Sequence, residues 1–362
     1  MRRRRLRSLW GTTPIISICN TSRSERLLGI QSDTLVFSSY FVTDDFTYNL
    51  TRLCRGPLLK AIVPFLVFPW FLLRYDVFHF FADRGILPSW RRYGHNRLEL
   101  FLLRLLGKTL FVYTYGGDVR TRETTLALGL YNCCVQCPEV GKFCVCEAPR
   151  LRRNLDHLRA HAAAILSLGD MTEYTPGSEN DLFFWPIDVE RVPFVGARPH
   201  AGRPVRIVHA PNHRYFKGTD FLVQAVDRLR GEGFAVELAF VEGVPNEEAM
   251  RRYAEADIVA EQFVIGWHGY NALEAMALGK PVVCYIRKPE YLLDPEACPI
   301  VRAGPDELEE ALRRLVLDPG LRESLGRRGR EYVTRHYSLP AFAERLQRLY
   351  ERHGLLAPGH AA

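Results

Sequence analysis

The chain lacks a hydrophobic run long enough to span a bilayer. Its longest apolar stretch, residues 61–73, is interrupted by Pro64 and Pro69, whereas a membrane-spanning helix needs about 20 apolar residues. Two interpretations fit this stretch. It is either a helix buried against a sheet, or an interfacial segment that inserts Trp70 and its phenylalanines into a membrane surface.

A secretory signal and a disulfide framework are also missing. The basic start is followed by residues 11–20, where threonines and a proline break the apolar run that an export signal requires. The 9 cysteines among 362 residues are too few for a disulfide scaffold, and a cytosolic thiol pool would keep them reduced. We therefore expect a cytoplasmic protein that works, in one interpretation, at the inner face of the membrane.

Acidic excess is absent, since the net charge is +7. Part of the positive charge lies in a basic run from Arg2 to Arg5, with Arg7 following. Such a run is either a frayed, solvated terminus or an attraction for anionic lipid or an anionic substrate. No basic stripe with interleaved aromatic residues appears elsewhere, so we expect no nucleic-acid partner.

What is present is ordinary globular composition, with 47% hydrophobic and 25% charged residues. The length favours two domains. Short β-branched or aromatic runs alternate with helical patterns, which indicates βαβ units and parallel sheets. Before a proline- and glycine-rich linker at 186–203, the predicted strands are 14–19, 34–38, 75–81, 109–114 and 163–168, with a helix at 97–106.

After the linker the same rhythm restarts. The predicted strands are 206–209, 236–241, 257–260 and 281–286, and the predicted helices begin at Thr219 or Asp220 and cover 246–256, 270–278, 306–317, 320–337 and 339–353. We therefore predict an α/β chain of two Rossmann-like domains, 1–190 and 204–338, that face a central cleft. Residues 339–362 form a helix and tail that return to the first domain.

The segment 209–219 follows a predicted strand and precedes a predicted helix, where ligands bind in open α/β sheets. It sets Arg214 and Lys217 beside Gly218, with Thr219 or Asp220 as the N-cap. A diphosphate needs such cations, and Gly218 lets the backbone come close. A solvated loop before a capped helix is the alternative.

The segment 266–283 has a glycine-bearing loop that opens a helix, whose free N–H groups favour an anion. Glu274 lies one turn into that helix and can accept hydrogen bonds from a sugar diol. Because its helical neighbours are apolar, a carboxylate at this position needs a partner. The alternative for Glu274 is a surface glutamate.

Five cysteines lie between positions 133 and 146. Cys134 and Cys137, followed by Cys144 and Cys146, have the tight paired spacing of a structural zinc site. Reduced thiols in an irregular loop remain the alternative. We expect no metal or other cofactor in catalysis.

Four histidines, His79, His209, His213 and His268, show no metal-ligand spacing. Each alone is more often structural than functional, although His268 could contact a sugar.

The sequence LEAMALGKPVV at 273–283 and the pattern HxPxxxxxKG at 209–218 resemble glycosyltransferases of the GT-B architecture, in particular the retaining bacterial group 4-like (group 1) family. The resemblance covers residues 206–349. It implies that Lys217 and Arg214 hold the donor diphosphate and that Glu274 binds the nucleotide ribose. The donor loop and helix start supply the remaining donor-binding residues: Gly218, Gly266, His268, Gly269, Tyr270 and Asn271.

The first half resembles the family's acceptor domain through YDVFHFF at 75–81 and TYGGDVR at 114–120, which places Gly116, Gly117 and Asp118 at a site and Asp118 among the catalytic residues. Two positions depart from the pattern. Gly266 stands where the family has a glutamate that contacts the transferred sugar, and Tyr115 replaces a histidine. Glu261 either supplies the missing carboxylate or is merely exposed at a strand end.

We therefore predict a glycosyltransferase, retaining by resemblance, that takes a sugar from a nucleoside-diphosphate sugar and gives it to a glycan or lipid-linked acceptor in polysaccharide biosynthesis. Lys217, Arg214 and the helix start would stabilise charge on the leaving diphosphate. The rivals are a catalytically silent sugar-nucleotide-binding subunit and a sugar-nucleotide epimerase of the same fold.

Overall fold

The computed structural model describes residues 5–39, 45–90, 93–135, 137–180, 182, 185–198 and 202–358. The chain divides into two compact units. Unit 1 comprises Met1–Thr124, Glu139–Pro186 and Leu339–Ala362, and unit 2 comprises Thr125–Pro138 and Ile187–Ser338. Each unit is built on a parallel sheet, so the prediction of an α/β chain with two parallel-sheet domains is confirmed.

The described strands form one sheet in each unit. Unit 1 has six strands in the order β3-β2-β1-β4-β5-β6, and unit 2 has five in the order β11-β10-β9-β7-β8. Their bounds are β1 Arg7–Thr12, β2 Gln31–Val36, β3 Tyr48–Asn49, β4 Val77–Phe81, β5 Thr109–Tyr113, β6 Ala164–Leu166, β7 Val205–His209, β8 Val236–Phe240, β9 Ile258–Ala260, β10 Val282–Cys284 and β11 Val301–Arg302.

The helices complete the alternation along the chain. Their bounds are α1 Ile16–Arg26, α2 Pro57–Arg74, α3 Arg97–Leu105, α4 Arg122–Ala127, α5 Ala148–Arg159, α6 Arg214–Lys217, α7 Thr219–Gly231, α8 Asn246–Ala254, α9 Tyr270–Ala277, α10 Leu308–Leu317, α11 Pro319–Tyr337 and α12 Leu339–Arg352. The last helix, α12, clusters with unit 1 and packs against α1.

The predicted strand at 14–19 is wrong, because these residues lead into α1. The first strand is instead β1, within the basic start, where Leu9 and Trp10 are buried between β2 and β4. The buried face of α1 carries Asn20, Ser24 and Glu25, so no apolar periodicity marks it as a helix. Of the basic run, Arg2 to Arg4 lie outside the described residues.

Helix α2 extends beyond the apolar run at 61–73 on both sides. Among the described residues, Pro57–Arg74 is the one helix that is long and apolar enough to cross a membrane by length and composition, so the expectation that no run is long enough is wrong by these two criteria. The buried residues of this helix are Pro64, Phe68, Phe71 and Leu72. The interpretation of a helix buried against the sheet therefore explains the face that carries these residues, but not the exposed apolar face. Much of its apolar surface is exposed within unit 1.

Unit 2 includes a piece of chain that the predicted boundaries gave to the first domain. Residues 125–138 cluster with unit 2 because Cys133 and Cys134 pack with Val264, Phe216 and Phe221. The main core of unit 2 lies between the sheet and helices α7 and α10, with Leu222 and Leu312 fully buried.

Candidate donor-binding site in the second unit

Two loops of unit 2 begin at the same edge of the sheet. Strands β7 and β9 are parallel neighbours, with His209 opposite Ala260 in the register. The loop after β7 leads through α6 to Gly218, and the loop after β9 leads to Gly269 at the start of α9. The fold therefore brings together segments about fifty residues apart in sequence, at the strand ends where α/β proteins bind ligands.

Lys217 and the start of α9 lie together around a buried carboxylate. The Lys217 ammonium pairs with Glu261, which is wholly buried. A Cβ atom on Gly269 would lie 2.8 Å from Glu261 Oε1 and 3.3 Å from Lys217 Nζ. A side chain at position 269 would therefore collide with the ion pair. The interpretation of Glu261 as an exposed strand-end residue is wrong, because the ion pair holds it inside.

Gly218 joins α6 to α7 in a left-handed conformation, with φ of 68°. A Cβ atom there would lie 3.0 Å from Val264 Cγ1, so glycine is needed for both its conformation and its space. The predicted side-chain cap by Thr219 or Asp220 is wrong, since α7 has no side-chain cap. The Thr219 hydroxyl instead donates to His209 Nε2, at 2.9 Å.

His209 holds the first loop to the sheet. Its Nδ1–H donates to the Ala260 carbonyl at 2.8 Å, while Nε2 accepts from Thr219. Burial lowers the pKa of His209 to about 4, so the ring is neutral near pH 7. This histidine fits a structural role.

Glu274 is buried one turn inside α9, and its partner comes from α8. Its Oε1 accepts a hydrogen bond from Asn246 Nδ2 at 2.7 Å, and only 7% of its surface is exposed. Burial raises the pKa of Glu274 to about 7. The expected partner exists, but the sequence did not reveal it, because Asn246 resembles an ordinary helix-start residue.

Arg214 is exposed on α6 and is already engaged by a carboxylate. Its Nε and Nη2 donate to Glu242 at 2.9 and 2.7 Å, and its guanidinium lies 4.5 Å from the centre of the Phe240 ring. Glu242 follows β8 closely in sequence, a position that marks it as a strand-end residue. Its fork–fork pairing with Arg214 was not predicted.

The remaining predicted donor residues form the loop into α9. Gly266 has φ of 90°. His268 is buried, with Nδ1 3.3 Å from the Gly269 carbonyl and Nε2 3.4 Å from the Tyr337 hydroxyl; burial lowers the pKa of His268 to about 4. Tyr270 and Asn271 are the first two residues of α9. The roles of these residues toward a ligand stay predictions.

Unit 1 has a separate cluster at the ends of its central strands. Asp118, after β5, is wholly buried, and its Oδ1 accepts from the backbone N–H groups of Tyr115 and Gly116 at 3.0 and 2.9 Å. Burial, and then the negative charge of Asp83, raise the pKa of Asp118 to about 8. Asp118 thus holds the turn at 115–118, and its assignment as a catalytic residue stays a prediction.

Asp83 was missed by the sequence analysis although it follows β4 by two residues. Its carboxylate accepts from Arg84 Nε at 2.7 Å and lies 3.4 Å from the Tyr115 hydroxyl. The glycines of the turn are required by space, since a Cβ atom on Gly117 would lie 2.4 Å from the Phe143 carbonyl oxygen.

The cysteine-rich stretch is divided between the units. Cys134 and Cys137 belong to unit 2, and Cys144 and Cys146 belong to unit 1. Across the described ranges, no group of three or more His, Cys, Asp or Glu side chains is arranged to hold a metal ion. Structural zinc stays a prediction, which elemental analysis of the protein purified without a polyhistidine tag would test.

Comparison with known proteins finds a family match in the second half of the chain. Residues 205–348 match a family model described as glycosyl transferase-like. This range contains β7 and α9, hence both loops at the sheet edge. No curated protein sequence matches the chain.

Solved structures share the fold over nearly the whole chain. Sucrose-phosphate synthase from Thermosynechococcus elongatus is 15% identical, with 96% of this chain and 99% of that chain covered and a TM-score of 0.62. HepE of Anabaena, solved with UDP-glucose, is 11% identical, with 96% and 100% covered and a TM-score of 0.57. An alpha-glucosyltransferase solved with UDP and DNA is 12% identical, with 97% and 100% covered and a TM-score of 0.57.

Proposed function

We propose that this chain, a glycosyltransferase with the GT-B fold, transfers a sugar from a nucleoside-diphosphate sugar to a glycan or lipid-linked acceptor. The prediction of a glycosyltransferase is supported by the family model that matches residues 205–348, and the solved structures share the fold. The observation that carries the donor assignment is the meeting of Lys217, Glu261 and the start of α9 at one sheet edge. HepE and the alpha-glucosyltransferase, which share the fold, were solved with UDP.

In the proposed donor site, different side chains bind the ribose and the diphosphate of the ligand. Glu274 offers carboxylate oxygens to ribose hydroxyls, since a carboxylate only accepts hydrogen bonds. Lys217 and the free N–H groups of α9 face the diphosphate, whose negative charge grows as the sugar departs. Arg214 joins them by exchanging Glu242 for a phosphate oxygen, because both offer the same bidentate geometry to a guanidinium.

Nucleotide binding and turnover test this proposal separately. Calorimetry with UDP, GDP and ADP should show one nucleoside diphosphate that binds, and the matching nucleotide sugars should release it when an acceptor is supplied. If none of these nucleotides binds, the proposed function is contradicted. Binding without any turnover would favour the silent subunit, and conversion of the donor without an acceptor would favour the epimerase.

We further propose that transfer retains the anomeric configuration, as in the family that the donor motifs resemble. In support, Glu261 is held in an ion pair with Lys217 and Glu274 is assigned to the ribose, so the donor site offers no further carboxylate as a base for the acceptor. Proton NMR of the first product formed would reveal its anomeric configuration. An inverted product would contradict this part of the proposal.

We also propose that unit 1 attaches to the anionic cytoplasmic surface of a membrane, where lipid-linked acceptors of polysaccharide biosynthesis are available. Helix α2 exposes Leu58, Phe65, Leu66, Trp70 and Leu73, and helix α3 exposes Leu98, Phe101 and Leu105. Successive right-handed crossovers to β4 and β5 advance in one direction along the sheet and therefore place α2 and α3 on the same face.

Charge supports a lipid as the occupant of this apolar surface. Residues 47–75 contain Arg52, Arg55, Lys60 and Arg74 and no acidic residue. Basic residues beside an apolar helix face favour anionic headgroups, at about 1 kcal/mol for each residue near the surface. A soluble protein partner would more often require a mixed charge pattern around the apolar patch.

Flotation with liposomes tests the attachment. Wild-type protein should float with phosphatidylserine-containing liposomes at low salt. The double variant Leu66→Asp/Leu73→Asp should remain at the bottom, because it places two charges on the most exposed part of α2. Leu317→Asp changes a leucine of unit 2 that is also well exposed, and this variant should float as wild type. Wild-type protein that fails to float would contradict the attachment.

A further inference from the structure

Residues 131–134, called the strap below, belong to unit 2, although the chain before 125 and after 138 belongs to unit 1. The strap lies in neither a strand nor a helix. Its backbone is folded locally, since the Cys134 N–H donates to Asn132 Oδ1 at 3.0 Å and Asn132 Nδ2 donates to the Gly129 carbonyl at 2.8 Å. Its place on unit 2 is therefore set by contacts rather than by strand pairing.

Two thiol side chains of the strap fill a buried cluster beside the loops at the sheet edge. Cys133 and Cys134 are buried together with Val264, which belongs to the loop after β9. Phe216 packs against the same cluster, and it immediately precedes Lys217 in α6. A buried cysteine packs as a small apolar residue. The strap thus joins the loop after β7 and the loop after β9 in one apolar cluster.

The two loops meet at Lys217, at the place that the strap covers. The Phe263 N–H donates to the Lys217 carbonyl at 2.9 Å. Val264 Cγ1 would lie 3.0 Å from a Cβ atom on Gly218, so Val264 is close to the backbone at the end of α6. A strap that holds Val264 therefore also holds the backbone of Lys217, whose ammonium pairs with Glu261.

Tyr131 adds two contacts of a different kind. Its ring meets the Phe221 ring nearly edge-on, with the ring centres 5.6 Å apart, and Phe221 lies in the first turn of α7. Its carbonyl accepts a hydrogen bond from Arg287 Nη2 at 3.2 Å, while the Arg287 backbone N–H donates to the Gly266 carbonyl at 2.9 Å. Tyr131 therefore contacts the helix after the first loop and the segment that holds the second.

We propose that Tyr131, Cys133 and Cys134 are positioning residues of the donor site, which hold both loops in the shape that binds a nucleoside diphosphate. This inference rests on the proposed function. A loop that is ordered before its ligand arrives loses less conformational entropy on binding, so preorganisation raises the affinity. Loss of the strap contacts should therefore weaken nucleotide binding. It should leave kcat at saturating donor unchanged, because the bound ligand then holds the loops itself.

Variants of two neighbouring positions test this role by calorimetry with UDP, GDP and ADP. Tyr131→Ala removes the ring and should raise the dissociation constant about three- to tenfold, as expected when one more group must be ordered on binding. Tyr131→Phe keeps the ring but loses the hydroxyl that donates to Asp306, and it should restore the affinity of wild type. Leu130→Ala changes a side chain that is 78% exposed and should bind as wild type. A segment that only stabilised the fold would change the urea midpoint of unfolding and leave the affinity of the folded protein unchanged.

Thiol labelling tests the strap without any substitution. Alkylation of a buried cysteine requires local opening of the structure, so a nucleoside diphosphate should slow the alkylation of Cys133 and Cys134 in wild-type protein. Cys298, which is buried in the same unit, reports general stabilisation by the ligand and should slow less. Mass spectrometry after timed alkylation measures these rates.

The inference is overturned if wild-type protein binds a nucleoside diphosphate and Tyr131→Ala binds it equally well. It is also overturned if the ligand slows alkylation of Cys133 and Cys134 no more than that of Cys298, or if Tyr131→Phe is weakened as much as Tyr131→Ala. Should Tyr131→Ala fail to fold, the alkylation rates of wild-type protein decide. If wild-type protein binds no nucleoside diphosphate, the proposed function itself is contradicted and this inference falls with it.

Discussion

The Glu274 carboxylate is buried in α9 and accepts a hydrogen bond from the Asn246 side-chain amide. Replacing it with glutamine keeps the size and removes the charge, so Glu274→Gln should bind both the intact donor and the free nucleoside diphosphate more weakly, since both contain the ribose. Losing hydrogen bonds to a charged group costs about 1.5–3 kcal/mol, or about tenfold or more in affinity. Calorimetry measures this. Glu310→Gln, on an exposed face of α10, is the matched control, and unchanged binding by Glu274→Gln would refute the ribose role.

The pKa of Glu274 adds a pH dependence. Its folded pKa of about 7 lies above the usual value of 4.5, so ionisation in the empty protein costs stability, and this cost appears as the pH rises from 4.5 toward 7. Ribose hydroxyls need the ionised acceptor. The affinity for nucleoside diphosphate should therefore rise up to about pH 7 and then level off. In Glu274→Gln, titrated in the same buffers, this part of the rise should be absent.

Lys217 pairs with Glu261 and is proposed to bind the diphosphate, and a single substitution of Lys217 would not separate these two roles. Its removal would leave Glu261 buried and unpaired, at a cost of about 3–5 kcal/mol in stability. The double variant Lys217→Met/Glu261→Gln keeps the site neutral and should fold. It should lower kcat more than it weakens donor binding, because leaving-group charge grows toward the transition state. Steady-state kinetics measures kcat, and calorimetry measures the affinity for the donor. If the double variant has the kcat of wild type, the diphosphate must bind elsewhere.

At the scale of elements, α12 is fastened to unit 1 by a buried hydroxyl. Tyr350 donates to Glu25 and lies 2.6 Å from His79 Nε2, and all three residues are buried. Trp10 and Ser32 also donate to Glu25, each at 2.6 Å. Burial raises the pKa of Glu25 and lowers the pKa of His79. Because these groups are buried, their free energy depends on the hydrogen bonds that they make with one another.

Tyr350→Phe should therefore destabilise unit 1 by about 1–3 kcal/mol, since a buried carboxyl group loses a donor. Arg352→Met, two residues later, breaks an exposed ion pair with Glu179 and should cost between about 0 and 1 kcal/mol. Urea unfolding followed by fluorescence compares the two variants of the same helix. Equal stability of Tyr350→Phe and wild type would show that the hydroxyl does not hold α12.

At the scale of the whole molecule, the two units have separate cores, and the proposed donor site lies in unit 2 alone. A nucleoside diphosphate at 100 times its dissociation constant should stabilise the state that binds it by about 2.7 kcal/mol. Hydrogen exchange should slow mainly at 209–218 and 261–274. Exchange measured by mass spectrometry with and without nucleotide tests this, with β2 and β6 of unit 1 as the internal reference. If nucleotide slows hydrogen exchange only in unit 1, the donor site lies in unit 1 and the proposed site in unit 2 is wrong.

The sequence by itself determined the α/β class, the two sheets and most strands of unit 2. Their apolar runs are short, β-branched and separated by helical periodicity, which is local information. The motif residues Lys217, Gly218 and Glu274 were also found locally, because each follows a strand or opens a helix. The same logic failed at 14–19, where the buried face of α1 is polar and the true strand lies within a basic start.

Only the tertiary structure decided which of these residues meet. The register of His209 with Ala260 brings Glu261 to Lys217, and the packing of α8 brings Asn246 to Glu274. Arg287 stands against Gly266 for the same reason. Such pairs join segments far apart in the chain through sheet order and helix packing. The burial of Glu274, and with it the raised pKa of this carboxyl group, exists only once the sheet and its helices have packed.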